Sequence, residues 1–172
     1  MQFEGLVQGR LLRRYKRFLA DVELANARLV TVHVPNTGAM LGCSEPGAEV
    51  WLSEIATARR KYEYSLLLVK SGRSLVCVNT HVANQLALEA IQAGTITELA
   101  GYGEIVPEVP YGVASRADFC CRIHADDMLR RCWVEVKSVT LCRGRLASFP
   151  DAVSARGRRH LQELQARVAD GD

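Results

Sequence analysis

Hydrophobic periodicity changes at Thr80. Before it lie short β-rich runs, Leu11 to Leu12, Phe18 to Val22, Leu29 to Val34, Glu49 to Leu52, Tyr64 to Val69 and Leu75 to Val78, with no helical spacing among them. Turn chemistry separates the runs: Pro35-Asn36-Thr37-Gly38, Pro46-Gly47 and Ser71-Gly72. Strands this short and closely spaced predict a small closed barrel, OB-like in architecture, with an SH3-like barrel as the alternative. From Thr80 onward, Val82, Leu86, Ala90 and Ala93 fall at helical spacing, with Thr80 as N-cap and Gly94 as the terminating residue. An α+β chain of two domains follows, residues 1–79 and 80–172.

Ser115 to Thr140 reads as a hairpin. Two β-rich runs, Arg116 to Ile123 and Cys132 to Leu141, flank a polar connection holding Asp126 and Asp127. A turn centred between those aspartates sets Asp118 opposite Glu135 and puts Asp118, Glu135 and Lys137 on one side of the sheet. Facing carboxylates repel by roughly 0.2 to 1 kcal/mol. A divalent cation between them removes that objection, since Mg²⁺ and Mn²⁺ take carboxylate, water and phosphate oxygens as ligands. Lys137 then stands beside a metal-bound water or a phosphoryl oxygen that gains charge, which outlines a phosphodiesterase site. The plain alternative is a solvated hairpin face on which Glu135 pairs with Lys137.

Composition adds limits. An apolar fraction of 48% suits a packed globular chain. M-Q-F-E-G-L-V-Q-G-R offers no signal core and no run is long enough for a membrane span, so the expectation is a cytoplasmic protein without a membrane partner. Six cysteines without a C-x-x-C pair read as small residues in a reducing compartment, although Cys121 falls opposite Cys132 in the hairpin register. Charge is uneven: 11 Lys and Arg against 7 Asp and Glu through Thr80 give +4, and 11 against 12 beyond it give −1. The first half is the expected anion binder and the second holds the acidic site.

Two basic clusters with interleaved aromatics lie in the first half, Arg13-Arg14-Tyr15-Lys16-Arg17 and Arg59-Arg60-Lys61-Tyr62. Barrels that bind single strands use this mixture, cations tracking phosphates and rings stacking on bases. His33 to Met40 leaves a strand for a tight turn, where Asn36 and Gly38 suit positive φ. Glu89 flanks the first helix's stripe as a third metal ligand or a solvated side chain. Thr95 to Gly112 reads as a Gly- and Pro-rich connection. Asp151 is the expected cap of a helix from Ala152 to about Val168, with Val153, Gly157, His160/Leu161, Leu164 and Val168 as its inner stripe. Arg156, Arg158 and Arg159 sit in its first turns, where cations are unfavourable unless an anion is bound. His160 on that stripe reads as a satisfied core histidine.

The order helix, strand with Asp, strand with Glu-x-Lys, helix resembles the PD-(D/E)XK nuclease core, with Asp118, Glu135 and Lys137 on its signature positions. The segments R-Y-K-R-F-L-A-D-V, H-V-P-N-T-G-A-M-L-G-C, V-N-T, S-R-A-D-F, E-V-K-S-V-T-L and F-P-D-A-V-S-A-R-G-R-R-H-L together resemble the sugar fermentation stimulation protein family, SfsA. That resemblance implies an OB-like N-terminal domain, a restriction-endonuclease-like C-terminal domain, non-specific DNA binding and a regulatory link to maltose metabolism. Family members continue past the second helix with another apolar strand, whereas this sequence stops at Asp170-Gly171-Asp172, so a truncated second domain is expected. An uncovered sheet edge recruits other chains, which predicts a homodimer or a loosely packed C-terminal domain.

Three functions fit these residues. The first is a sequence-independent DNA-binding protein with a Mg²⁺- or Mn²⁺-dependent nuclease site. The second is a DNA-binding regulator with the same acidic cluster but no turnover, and the third is a non-catalytic module whose basic patches meet acidic proteins.

Overall fold

The computed structural model describes residues 1–54, 61–112, 115–125, 128–149 and 153–172. The chain divides into two compact units, residues 1–83 with 138–152, and residues 84–137 with 153–172. Among the described residues no helix is long and apolar enough to cross a membrane.

The first unit is built on a closed OB-like barrel of β1 (Val7–Tyr15), β2 (Leu19–Leu24), β3 (Leu29–His33), β4 (Glu49–Glu54) and β5 (Tyr64–Ser71). Neighbours run in the order β3-β2-β1-β4-β5, and a parallel bridge between His33 and Ser65 joins β3 to β5 and closes the ring. A further strand, β6 (Ser74–Cys77), pairs with β5 as a hairpin. β1 is longer than its apolar run because it pairs on both sides: Val7 to Arg10 face β4, and a register shift between Leu11 and Arg13 turns the rest along β2. Gly9 lies where β2 comes closest, since a Cβ there would sit 2.5 Å from Val22 Cγ1. Alternation sends Leu11, Val22, Val32, Val50 and Leu52 inward, and a register shift of β4 against β5 lets Leu66 and Val69, three residues apart, join them, each nearly fully buried.

α1 (Thr80–Gln92) begins in the first unit, where Thr80 donates its hydroxyl and its backbone N–H to the Pro35 carbonyl oxygen, and continues in the second. There β7 (Glu104–Pro110), β8 (Arg116–Ala125) and β9 (Met128–Val134) form an antiparallel sheet in that order. The predicted hairpin register holds, with Ala125 opposite Met128, Cys121 opposite Cys132 and Phe119 opposite Val134. The ladder stops there, so β9 is shorter than the expected run to Leu141. β7 replaces part of the expected connection; its Pro107 and Pro110 are tolerated because β7 is an edge strand. One sheet face carries Phe119, Cys121, Cys132 and Val134 against Ala87, Leu88 and Ile91 of α1. Leu86, expected on that stripe, is instead 46% exposed.

A small hairpin, β10 (Leu141–Arg143) with β11 (Leu146–Ser148), belongs to the barrel's unit, where the Cys43 thiol donates to the Thr140 carbonyl at 3.7 Å. α2 (Ala155–Ala169) belongs to the second unit. Its cap is Ser154, whose hydroxyl accepts from the Gly157 N–H at 2.9 Å; Asp151 lies outside the described residues. The inner face of α2 is formed by Gly157 and His160, both on the expected stripe, with Leu164 half-buried, while the stripe's outer members Val153, Leu161 and Val168 are exposed.

Candidate functional site

Glu135 follows β9 directly, in the register position opposite Asp118. Its side chain is only 8% exposed. Oε1 accepts from the Lys137 ammonium and from His160 Nδ1; Oε2 is shielded from solvent and has no hydrogen-bond partner among the described residues. His160 Nε2 in turn accepts from Arg156 Nε at 3.3 Å, which fixes the tautomer with the ring proton on Nδ1 toward Glu135. A buried carboxylate is thereby flanked by two cations, one direct and one through an imidazole. His160 is buried and satisfied, as the sequence suggested, but its partner is the site's own carboxylate.

Asp118 is also held by both oxygens. Oδ1 accepts from Asn84 Nδ2 at 2.6 Å and Oδ2 from the Val136 N–H at 2.7 Å, so β8 is tied by a side chain to the segment after β9 where the backbone ladder has ended. The α1 residue that reaches Asp118 is therefore Asn84; Glu89 is exposed. Asn84 lies in the first turns of α1, and Asp118 is the third residue of β8.

Two further residues were not read from the sequence. Tyr111 is buried, stacks on Trp133 with ring centroids 5.6 Å apart, and its hydroxyl lies 3.4 Å from the His160 carbonyl oxygen. Burial and the neighbouring carboxylates of Glu135, Glu163 and Asp118 push this phenol up to about 12. Glu163 of α2 approaches so closely that a Cβ on Gly112 would lie 2.5 Å from its carboxyl carbon, and its Oε2 too is enclosed without a partner among the described residues. Glu163 sits three residues after His160, a spacing that marks the same helix face once His160 is known to point inward.

The barrel's basic residues are differently disposed. Arg13 Nε donates to Asp21 Oδ2 at 2.8 Å and its guanidinium stands 5.0 Å from the Tyr15 ring centroid. Burial pulls the Asp21 carboxyl upward, but hydrogen bonds from Arg13, Thr31 and Tyr15 together hold it below its ordinary value. Arg14 grips backbone, with bonds to the carbonyls of Arg17, Asn36, Gly38 and Ala39, and Arg17 donates twice to the Thr37 carbonyl. Lys16 is exposed in the β1–β2 turn. Lys61, also exposed, stands 5.7 Å from the Tyr62 ring centroid in the β4–β5 connection; Arg59 and Arg60 of that connection lie outside the described residues. Arg158 and Arg159 are exposed on α2.

Comparison with known proteins decides the family. Residues 12–78 match the model of the SfsA N-terminal OB domain, and residues 81–172 match that of the sugar fermentation stimulation protein RE domain. The chain belongs to the sugar fermentation stimulation protein family. A homologue from Histophilus somni (strain 2336) is 54% identical over 174 residues, spanning 99% of this chain and 71% of the relative. Another from Geobacter sp. (strain M21) is 52% identical over 168 residues, spanning 98% of this chain and 71% of its own length. Among solved structures, that of Pyrococcus furiosus SfsA in complex with Ca²⁺ superposes with a TM-score of 0.87 at 28% identity, covering 100% of this chain and 71% of that one.

The donor set in this SfsA-family chain fits a hard cation in one manner only. Among the described residues no group of three or more His, Cys, Asp or Glu is arranged to hold a metal, so an all-protein cage is absent from them and Glu89 does not complete one. Two carboxylates each one residue beyond the last β8–β9 pair, Phe119 with Val134, one of them buried with an oxygen that accepts no bond among the described residues, match instead the Mg²⁺-type arrangement completed by water and substrate oxygens.

Proposed function

We propose that this SfsA-family chain binds DNA without sequence preference and hydrolyses its phosphodiester bonds with Mg²⁺ or Mn²⁺, through Asp118, Glu135 and Lys137. The observation that carries this reading is Glu135, buried with Oε2 unpartnered and Oε1 shared by Lys137 and His160. An enclosed carboxylate oxygen without a donor is costly, and a cation held by Glu135 and Asp118 would relieve that cost. The Ca²⁺ complex of the Pyrococcus furiosus relative accords with an oxygen-ligand site.

When bound, the cation supplies Lewis-acid stabilisation of a phosphoryl oxygen and a more acidic water. Asp118 is oriented for its ligand role by Asn84 and the Val136 N–H. Lys137 supplies an ammonium for the charge that gathers on phosphoryl oxygens in the transition state. His160, braced by Arg156, keeps Glu135 in place. DNA is held by exposed cations, Lys16 in the β1–β2 turn and Lys61 in the β4–β5 connection, loops that OB-folds use for oligonucleotides; Arg59 and Arg60 add their charge to the second cluster in the sequence. Arg13, Arg14 and Arg17 serve that surface chiefly by shaping it, since each is already bonded to the barrel.

A second reading rests on the same geometry. Both Asp118 oxygens and Glu135 Oε1 already accept hydrogen bonds, which is how a self-satisfied cluster in a binding-only, DNA-associated regulator of sugar metabolism would be arranged. Incubation of supercoiled plasmid with the protein and Mn²⁺ separates the two. Nicked and linear products that vanish with chelator and in Lys137→Ala are expected; DNA retention with no cleavage in wild type would favour the regulator.

A further inference from the structure

The β1–β2 turn takes the left-handed backbone that tight hairpins favour, but with residues that adopt it at a cost. Tyr15 and Leu19 form the last pair, leaving Lys16, Arg17 and Phe18 as the connection. Lys16 and Arg17 both take positive φ, 49° and 64°, a region that favours glycine, yet neither is glycine. Strain of this kind persists only where surrounding bonds enforce it, and it concentrates at functional sites. Here the enforcing bonds are visible. Arg14 Nη2 holds the Arg17 carbonyl at 2.6 Å and the Asn36 and Gly38 carbonyls at 2.9 and 2.8 Å. Arg17 Nη2 holds the Thr37 carbonyl at 2.8 Å, and the Val34 N–H donates to the Phe18 carbonyl at 2.7 Å. The turn and the neighbouring 36–39 loop are thus clamped into one rigid ledge.

What the ledge presents is a ring. Phe18 is 47% exposed beside the exposed Lys16, although its backbone is fixed and its neighbours Leu19 and Ala20 are buried. A single exposed apolar side chain ordinarily needs no explanation. One at the tip of a strained, preorganised turn that also displays a cation is different, because rigidity removes the ordering cost of a contact made there. We infer that Phe18 is a stacking platform for an unpaired nucleobase, with Lys16 on the adjoining phosphate, so that the barrel prefers single-stranded nucleic acid to duplex. The chemistry selects that class: a flat π face stacks on any exposed base, whereas bases in a duplex are already stacked on one another.

This inference rests on the proposal that the chain binds nucleic acid, and the test keeps the two apart. Binding of a labelled oligothymidylate and of a duplex of equal length is measured at one salt concentration with chelator present, for wild type, Phe18→Ala, Phe18→Leu and Phe18→Tyr. Expected are a loss of single-strand affinity of roughly tenfold or more in the Ala and Leu variants, retention in the Tyr variant, and duplex binding and thermal midpoint unchanged in all. Wild-type affinity for the single strand in Phe18→Ala, or in Phe18→Leu alone, overturns the stacking role while leaving DNA binding intact. No binding of either probe by wild type overturns the DNA reading itself.

Discussion

Glu135 and Tyr111 show how one carboxylate sets the chemistry around it. Burial favours the neutral form of any acid, and the phenol of Tyr111 meets both burial and the fields of Glu135, Glu163 and Asp118. Its folded value of about 12 lies above the ordinary 10.0, so the unfolded chain releases this proton first as pH rises. Stability from Tyr111 is whole below the unfolded value and is lost on the way up to the folded one. Alkaline unfolding of wild type should steepen across that window, and Tyr111→Phe should flatten it while leaving neutral-pH stability nearly unchanged; superimposable alkaline profiles would contradict the placement of those carboxylates. At this scale the sequence was informative about type and register. Asp118, Glu135 and Lys137 were readable because alternation and a symmetric turn suffice to place them. Asn84, Tyr111 and Glu163 were not, because each arrives from an element whose orientation depends on tertiary packing.

Elements were legible where a local rule dominates and illegible where two rules compete. Turn-bounded β runs gave the barrel, since pairing to neighbours needs only alternation and turns. β7 was missed because Pro107 and Pro110 signal a break, yet an edge strand spares the missing N–H groups; Glu108 there carries a φ of 53° between two paired positions without shifting the register, a local distortion that no spacing announces. α2 was found with Gly157 and His160 on its expected inner stripe, but that buried stripe is narrower than the apolar spacing suggested. Its apolar residues Leu161 and Val168 face outward, while Gly157 and His160 face the sheet, because the polar Glu135 and Tyr111 side chains are what that sheet face offers. The helix start follows capping chemistry instead, Ser154 satisfying the Gly157 N–H. Ser154→Ala should therefore lower stability by about 1 kcal/mol in denaturant titration. No change in midpoint would mean that the cap is dispensable.

Across the whole molecule, charge and topology divide the labour. The first eighty residues form the closed barrel and carry the positive excess; the rest supply a three-stranded sheet whose two faces differ in kind. One face is an apolar core against α1, and the other bears Glu135, Trp133 and Tyr111 beside α2. The return of residues 138–152 to the barrel's unit was outside the reach of sequence reasoning, because a long-range segment assignment has no periodic signature. We propose that the polar face holds a divalent cation through Asp118 and Glu135, and calorimetric titration with Mn²⁺ tests this directly. Saturable binding by wild type, lost in Asp118→Asn and in Glu135→Gln with both variants folded, is the predicted result; no uptake by wild type, or equal uptake by Asp118→Asn, would contradict it.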